Sequence, residues 1–167
     1  MVQPFLVRLM LMLYYTEFCL SPCEVPEEKS ICIYISGCTN RCKNCHYPAL
    51  QLHNYGESLG NFFADIIELY HKQASCVCFL GEGRGFPEDQ AELISYAEYA
   101  HAKGLKTCLY CGRDTGIESW MYVFDYIKLG SYREELGSLD SKTTNQRLYR
   151  KNDENKYEDM TNRFWIE

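Results

Sequence analysis

The chain has 167 residues, 46% of them hydrophobic and 24% charged, with 17 basic against 23 acidic side chains and a formal net charge of −6. That length fits one ordinary globular domain and is too short for a complete (β/α)8 barrel, which takes about 250 residues. The acidic balance argues against general binding to nucleic acid or anionic membranes, which needs a basic surface.

Residues 1–13 hold a short apolar run broken by Arg8, with no small-x-small cleavage site after it. The run is shorter than the about 20 residues that span a bilayer. Residues 1–13 therefore read as an extension outside the core, with Met10 or Met12 as alternative starts, and residues 14–167 as one domain. This implies a cytoplasmic chain with reduced thiols, although ten cysteines in this length also raise the question of a disulfide framework.

Ile31, Cys32, Ile33, Tyr34 and Ile35 are β-branched or apolar and stop at Ser36-Gly37, as a strand running into a loop does. Phe63, Ile66, Ile67 and Tyr70 give one apolar face to a helix over about residues 60–72. Residues 76–80 are apolar throughout, which predicts a strand covered on both faces of a parallel sheet. Beyond Pro87, Leu93, Ile94, Ala97 and Ala100 make a second helical stripe that closes at Lys103-Gly104. Residues 105–110 predict a third strand, residues 115–120 a short helix and residues 126–129 a fourth strand. Residues 147–151 and 160–165 flank the polar segment Asn152-Asp153-Glu154-Asn155 and predict a C-terminal β-hairpin. Alternating strands and helices imply an α/β domain with right-handed crossovers, a mostly parallel sheet and a site at the carboxyl ends of its strands.

In the loop after the first strand stand Cys38, Cys42 and Cys45, spaced C-x3-C-x2-C, with Arg41 and Lys43 between them to hold negative charge. Three thiols this close indicate a metal or cluster site. A structural zinc wants four ligands, and His46, adjacent to Cys45, is awkward as the fourth. A [4Fe–4S] cluster held by three cysteines keeps one iron open for a substrate.

This motif after a first strand resembles that of the radical S-adenosylmethionine (SAM) enzymes. Within them the chain is similar to the activating proteins of anaerobic ribonucleoside-triphosphate reductases, over about residues 14–167. The resemblance rests on Gly37 before the motif and His46-Tyr47-Pro48 after it, on residues 76–81 and 104–110, and on Phe124-Asp125-Tyr126-Ile127-Lys128-Leu129-Gly130-Ser131-Tyr132. It continues through Glu135-Leu136-Gly137, Thr143-Thr144-Asn145-Gln146-Arg147 and Thr161-Asn162-Arg163-Phe164-Trp165. It implies a partial (β/α) barrel, with Cys38, Cys42 and Cys45 holding a [4Fe–4S] cluster whose fourth iron chelates SAM. One electron then splits the sulfonium into methionine and a 5′-deoxyadenosyl radical, which takes a hydrogen from a glycine of the large reductase subunit. Clusters of the ferredoxin type reach about −400 mV, the range such a reduction needs. The cluster and SAM carry the chemistry, so no catalytic side chain is expected. The resemblance further implies reduced flavodoxin or ferredoxin as electron donor, and no nucleic-acid or membrane partner.

The chain departs from the family in its second loop, where Gly81-Glu82-Gly83 stands in place of Gly-Gly-Glu/Asp, the turn that receives the SAM amine. Asn44 replaces the aromatic residue usual before the third cysteine. Lys128, a charge inside an apolar strand, reads either as a SAM contact or as a residue snorkelling from an edge. Asn145 and Gln146 are further candidates for SAM contact. Cys108 and Cys111 form a C-x2-C that reads as core packing ahead of a redox pair. Cys76 and Cys78 read as packing, Cys19 and Cys23 as residues outside the core, and His53, His71 and His101 as ordinary polar surface. Two other functions stay open: an activase of a formate-lyase type or a small metabolite-acting radical SAM enzyme, and a zinc module using Cys38, Cys42, Cys45 and His46.

Overall fold

The computed structural model describes residues 13–165. Residues 1–12, most of the segment set apart above as an extension, lie outside the described residues, as do 166–167. Leu13, the last residue of that segment, is 1% exposed, and its amide donates to Glu92 Oε2 at 3.1 Å.

Eight strands form a single sheet: β1 (Tyr14–Ser21), β2 (Ser30–Ile35), β3 (Glu57–Ser58), β4 (Cys76–Leu80), β5 (Lys106–Tyr110), β6 (Tyr126–Leu129), β7 (Arg147–Lys151) and β8 (Tyr157–Asp159). Their spatial order is β3-β1-β2-β4-β5-β6-β7-β8. Helix α1 (Leu59–Tyr70) leads into β4, and α2 (Pro87–Ala102) joins β4 to β5. Helix α1 buries Leu59, Phe63, Ile66 and Ile67 on one face. Helix α2 starts at Pro87 with Glu88 and Asp89 in its first turn, where acids suit the helix dipole. It ends before Gly104, whose φ of +78° makes the reversal that glycine favours.

The expected partial barrel with a mostly parallel sheet is not what the chain forms. Of the seven strand pairings, β2-β4, β4-β5 and β5-β6 are parallel, whereas β1-β2, β1-β3, β6-β7 and β7-β8 are antiparallel. Only two α-helices lie among the described residues. The result is one mixed sheet, a parallel centre flanked by antiparallel strands. The β5-β6 crossover carries a 3-10 turn at Ser119–Val123 in place of the helix expected over 115–120. Glu118 collects Arg113, Thr115 and Trp120 there, which fixes a tight turn. The return strand expected at 160–165 is β8 instead, and Thr161–Phe164 is a 3-10 turn. Asn152 Oδ1 accepts from the amides of Glu154 and Lys156, both at 3.0 Å, and closes the reversal early.

Alternation along the strands divides the core into two. On the helix side, Ile31, Ile33, Ile35, Val77, Phe79, Leu109 and Ile127 pack under α1 and α2, where Phe63 and Tyr96 rings meet at 4.3 Å. Each such burial is worth about 1.5–3 kcal/mol. The opposite face carries Cys32, Cys76, Cys78, Cys108, Tyr126 and Leu148. There Cys32, Cys78 and Cys108 stand in register across β2, β4 and β5. Cys111 belongs to the helix-side core, so the sheet separates it from Cys108 and the C-x2-C is two packing residues. No helix among the described residues is long and apolar enough to cross a membrane.

Candidate functional site

The cysteine loop leaves the carboxyl end of β2 and is pinned on both sides. Gly37 N donates to Leu52 O at 3.1 Å and Cys38 N to Leu50 O at 2.8 Å, which ties the loop to the turn at Pro48–Gln51. Gly37 has φ +90°, and a Cβ there would meet Arg84 Cγ at 3.4 Å, so the backbone approaches the loop after β4 as only glycine readily allows. On the other side, the Asn40 side chain donates to the carbonyl of Gly112 after β5, and Asn44 Nδ2 donates to Glu134 after β6 at 2.5 Å. Arg41 is turned back onto Gln51, at 3.2 Å from its Oε1.

Cys38, Cys42 and Cys45 are free and half-buried. Burial pushes the Cys38 thiol up, and the neighbouring charges of Cys42, Cys45 and Glu82 push the same way. The three do not converge into a closed metal-binding group among the described residues. Their chemistry fits the implied group in number and kind: three free thiols on one loop, within electrostatic reach of each other. The His46 ring packs on Tyr132, centroids 4.5 Å apart, and nothing in that contact favours it as a fourth ligand.

The turn after β4 is shaped by glycine, with φ of +123° at Gly81, +66° at Gly83 and +73° at Gly85. Gly83 lies so close to Leu13 and Asp89 that a Cβ would stand 2.5 Å from Leu13 Cδ2. Glu82 is nearly buried, and its carboxylate is taken by Arg113, with Nε at 2.5 Å and Nη2 at 3.3 Å. Arg113 also pairs with Glu118 at 2.6 Å. Those hydrogen bonds to Glu118 and Glu82 drive the guanidinium upward, and the one from Arg113 holds the Glu118 carboxyl down at about 2.

Lys128 and Gln146 are brought together on the face opposite the helices. Lys128 is 7% exposed, and its Nζ donates to Gly130 O at 2.7 Å and lies 5.8 Å from the centre of the Tyr110 ring. Gln146 Nε2 reaches the same carbonyl at 3.4 Å. Burial lowers Lys128 to about 8, against the upward pull of Cys111, Cys42, Asp114 and Cys38. Both residues line a chamber of about 360 Å³ with His46, Tyr110, Tyr132 and Phe164. Asn145 is not with them: it lines a different cavity, beside Leu129 and Arg147. Arg113 and Asn40 were not among the sequence candidates. The one pointer to Arg113 was its place just after the third predicted strand, where sites of parallel sheets gather.

Comparison of the chain with protein-family models, with curated proteins and with solved structures found no match.

Proposed function

We propose that the protein cleaves SAM reductively at a [4Fe–4S] cluster and passes the radical to a glycine of the large subunit of an anaerobic ribonucleoside-triphosphate reductase. One observation carries this reading: three free, half-buried thiols spaced C-x3-C-x2-C leave the carboxyl end of a parallel strand, and the loop that bears them borders a chamber floored by a buried lysine. When bound, the group supplies one-electron reduction of the SAM sulfonium, yielding methionine and a 5′-deoxyadenosyl radical.

The chain's own residues do the rest. Cys38, Cys42 and Cys45 would hold the cluster. Lys128, which feels the charges of Cys42 and Cys38, balances the negative charge of the thiolates and offers two unused N–H donors to an anionic group. The Gly81–Gly83 turn presents backbone to SAM. Glu82 is oriented by Arg113 and serves the SAM amine only as part of that ion pair. The tilted rings of His46 and Tyr132, with centroids 4.5 Å apart, wall the chamber. Reduced flavodoxin or ferredoxin supplies the electron, in a reducing cytoplasmic setting.

The test is anaerobic reconstitution with iron and sulfide, followed by SAM, a strong reductant and the large reductase subunit. The expected results are a brown protein, 5′-deoxyadenosine and a glycyl-radical resonance, all lost in Cys42→Ala. A colourless protein that takes up zinc alone, or 5′-deoxyadenosine yield unchanged in Cys42→Ala, overturns the reading.

A further inference from the structure

We propose that the cavity on the helix side of β6 and β7 is a binding site for a nucleoside phosphate, separate from the thiol loop. The β5-β6 crossover contains no α-helix, and the upper end of this sheet face is left with a cavity of about 660 Å³. Leu129, Ile117 and Tyr149 give it an apolar wall that joins the helix-side core. Lys128 and Gln146 alternate to the other face, so the sheet stands between this cavity and the chamber beside the thiols.

Its polar groups select the ligand. Arg133 and Arg147 line it against one carboxylate, Asp114, on a chain of net charge −6. Arg133 uses one nitrogen on Asp114, at 3.1 Å, while Arg147 pairs through Nε with Asp159 at 3.5 Å and donates from Nη1 to Gln146 O at 3.2 Å, so both guanidiniums keep donors for an anion. Asn145 is fixed by its Nδ2, which donates to Ser131 O at 3.0 Å, while its Oδ1 is buried with no hydrogen-bond partner. A buried carbonyl oxygen left this way wants an N–H donor. An apolar wall for a flat ring, an acceptor for an amine on that ring and two guanidiniums for an anionic tail describe an amino-bearing nucleobase with a phosphate. These guanidiniums favour a phosphate over SAM, whose tail offers one carboxylate beside a cationic sulfonium and an ammonium and is cationic overall.

The test needs no cluster. The full chain, under reducing anaerobic conditions, is titrated calorimetrically with AMP, adenosine, inorganic phosphate and SAM. Saturable binding of AMP is expected, with Arg147→Gln weakening AMP about tenfold and leaving adenosine unchanged, and Asn145→Leu weakening both. Arg133→Gln, at a more exposed side chain, is the second variant and should lower AMP affinity in the same way, with circular dichroism confirming the fold of each. No saturable AMP binding, phosphate binding as tightly as AMP, or SAM displacing AMP competitively would each overturn the assignment. The last result would give the cavity to the cofactor.

Discussion

The Asn40 side-chain amide donates to the main-chain carbonyl of Gly112, joining the cysteine loop to the end of β5 across 72 residues of sequence. Gly112 tolerates this because it has no Cβ: one built there would stand 2.7 Å from Asn40 Nδ2. Gly112→Ala should therefore push off the end of a flexible side chain, which costs little global stability, about 0.5 kcal/mol. The lost hydrogen bond should show instead as faster amide exchange over residues 38–46 and slower iron incorporation. Unchanged exchange in that loop would mean that Asn40 does not hold it.

Arg113 joins Glu82, 9% exposed, to Glu118. Arg113→Gln leaves the Glu82 carboxylate nearly buried without its cation, and urea denaturation should show a loss of about 2 kcal/mol at pH 7. The pair with Glu118 adds a pH signature. Its carboxyl lies at about 2 in the fold, against an ordinary 4.5. A depressed carboxyl contributes stability that is fully present above about pH 4.5 and disappears as pH falls towards 2. The difference between wild type and Arg113→Gln should shrink across that window.

Burial divides the ten thiols into two populations. Cys32, Cys76, Cys78, Cys108 and Cys111 are buried, while Cys19 and Cys23 are exposed and Cys38, Cys42 and Cys45 half-buried. Burial holds the Cys78 and Cys108 thiols above their ordinary range; for Cys32 the hydrogen bond with Cys78 is the larger cause. A thiol reagent should modify five groups quickly in the native, metal-free protein and the other five only on unfolding. Cys108→Ala should cost about 1 kcal/mol by leaving a small void and leave iron content unchanged. A fall in iron content without a fall in stability would place Cys108 among the ligands.

The parallel centre of the sheet was legible because residues 31–35 and 76–80 are unbroken apolar strands and 126–129 is interrupted only by Lys128, a pattern that burial on both faces imposes. Of the antiparallel flanks only the C-terminal hairpin was expected, with its first strand at 147–151 where β7 lies and its return strand placed too late. In β1 a bulge between Tyr15 and Glu17 resets the register, and the strand is only half-buried, so no clean alternation survives in its sequence. Strand β3 has two residues and β8 three, below the length at which periodicity can be read. Without β1 and β3 the sheet looked mostly parallel, and the barrel came from the family resemblance. The cysteine loop was visible because its three thiols lie within eight consecutive residues. The groups that position it act from far along the chain, Gly112 on Asn40 and Arg113 on Glu82, and spacing alone shows neither.

Lys128 offers a test that separates burial from pairing. Its nearest partners are a neutral carbonyl and a ring, Gly130 O and Tyr110, and no carboxylate among the described residues forms an ion pair with it. Burial brings its pKa to about 8 from 10.5. Between those values the unfolded chain holds the proton and the folded chain does not, so this group's contribution to stability rises with pH from about 8 to 10.5; below 8 the fold bears the full cost of a buried cation. Lys128→Met removes that cost along with one hydrogen bond, and should stabilise the metal-free protein at pH 7 by about 1–2 kcal/mol. The advantage should vanish as pH approaches 10.5, because the wild type then buries a neutral amine. Urea denaturation of both proteins from pH 7 to pH 10 isolates the effect from the tyrosines, which titrate in both. A constant difference across that range would show that Lys128 stays charged in the fold, held by the thiolates of Cys38 and Cys42 more strongly than burial opposes it.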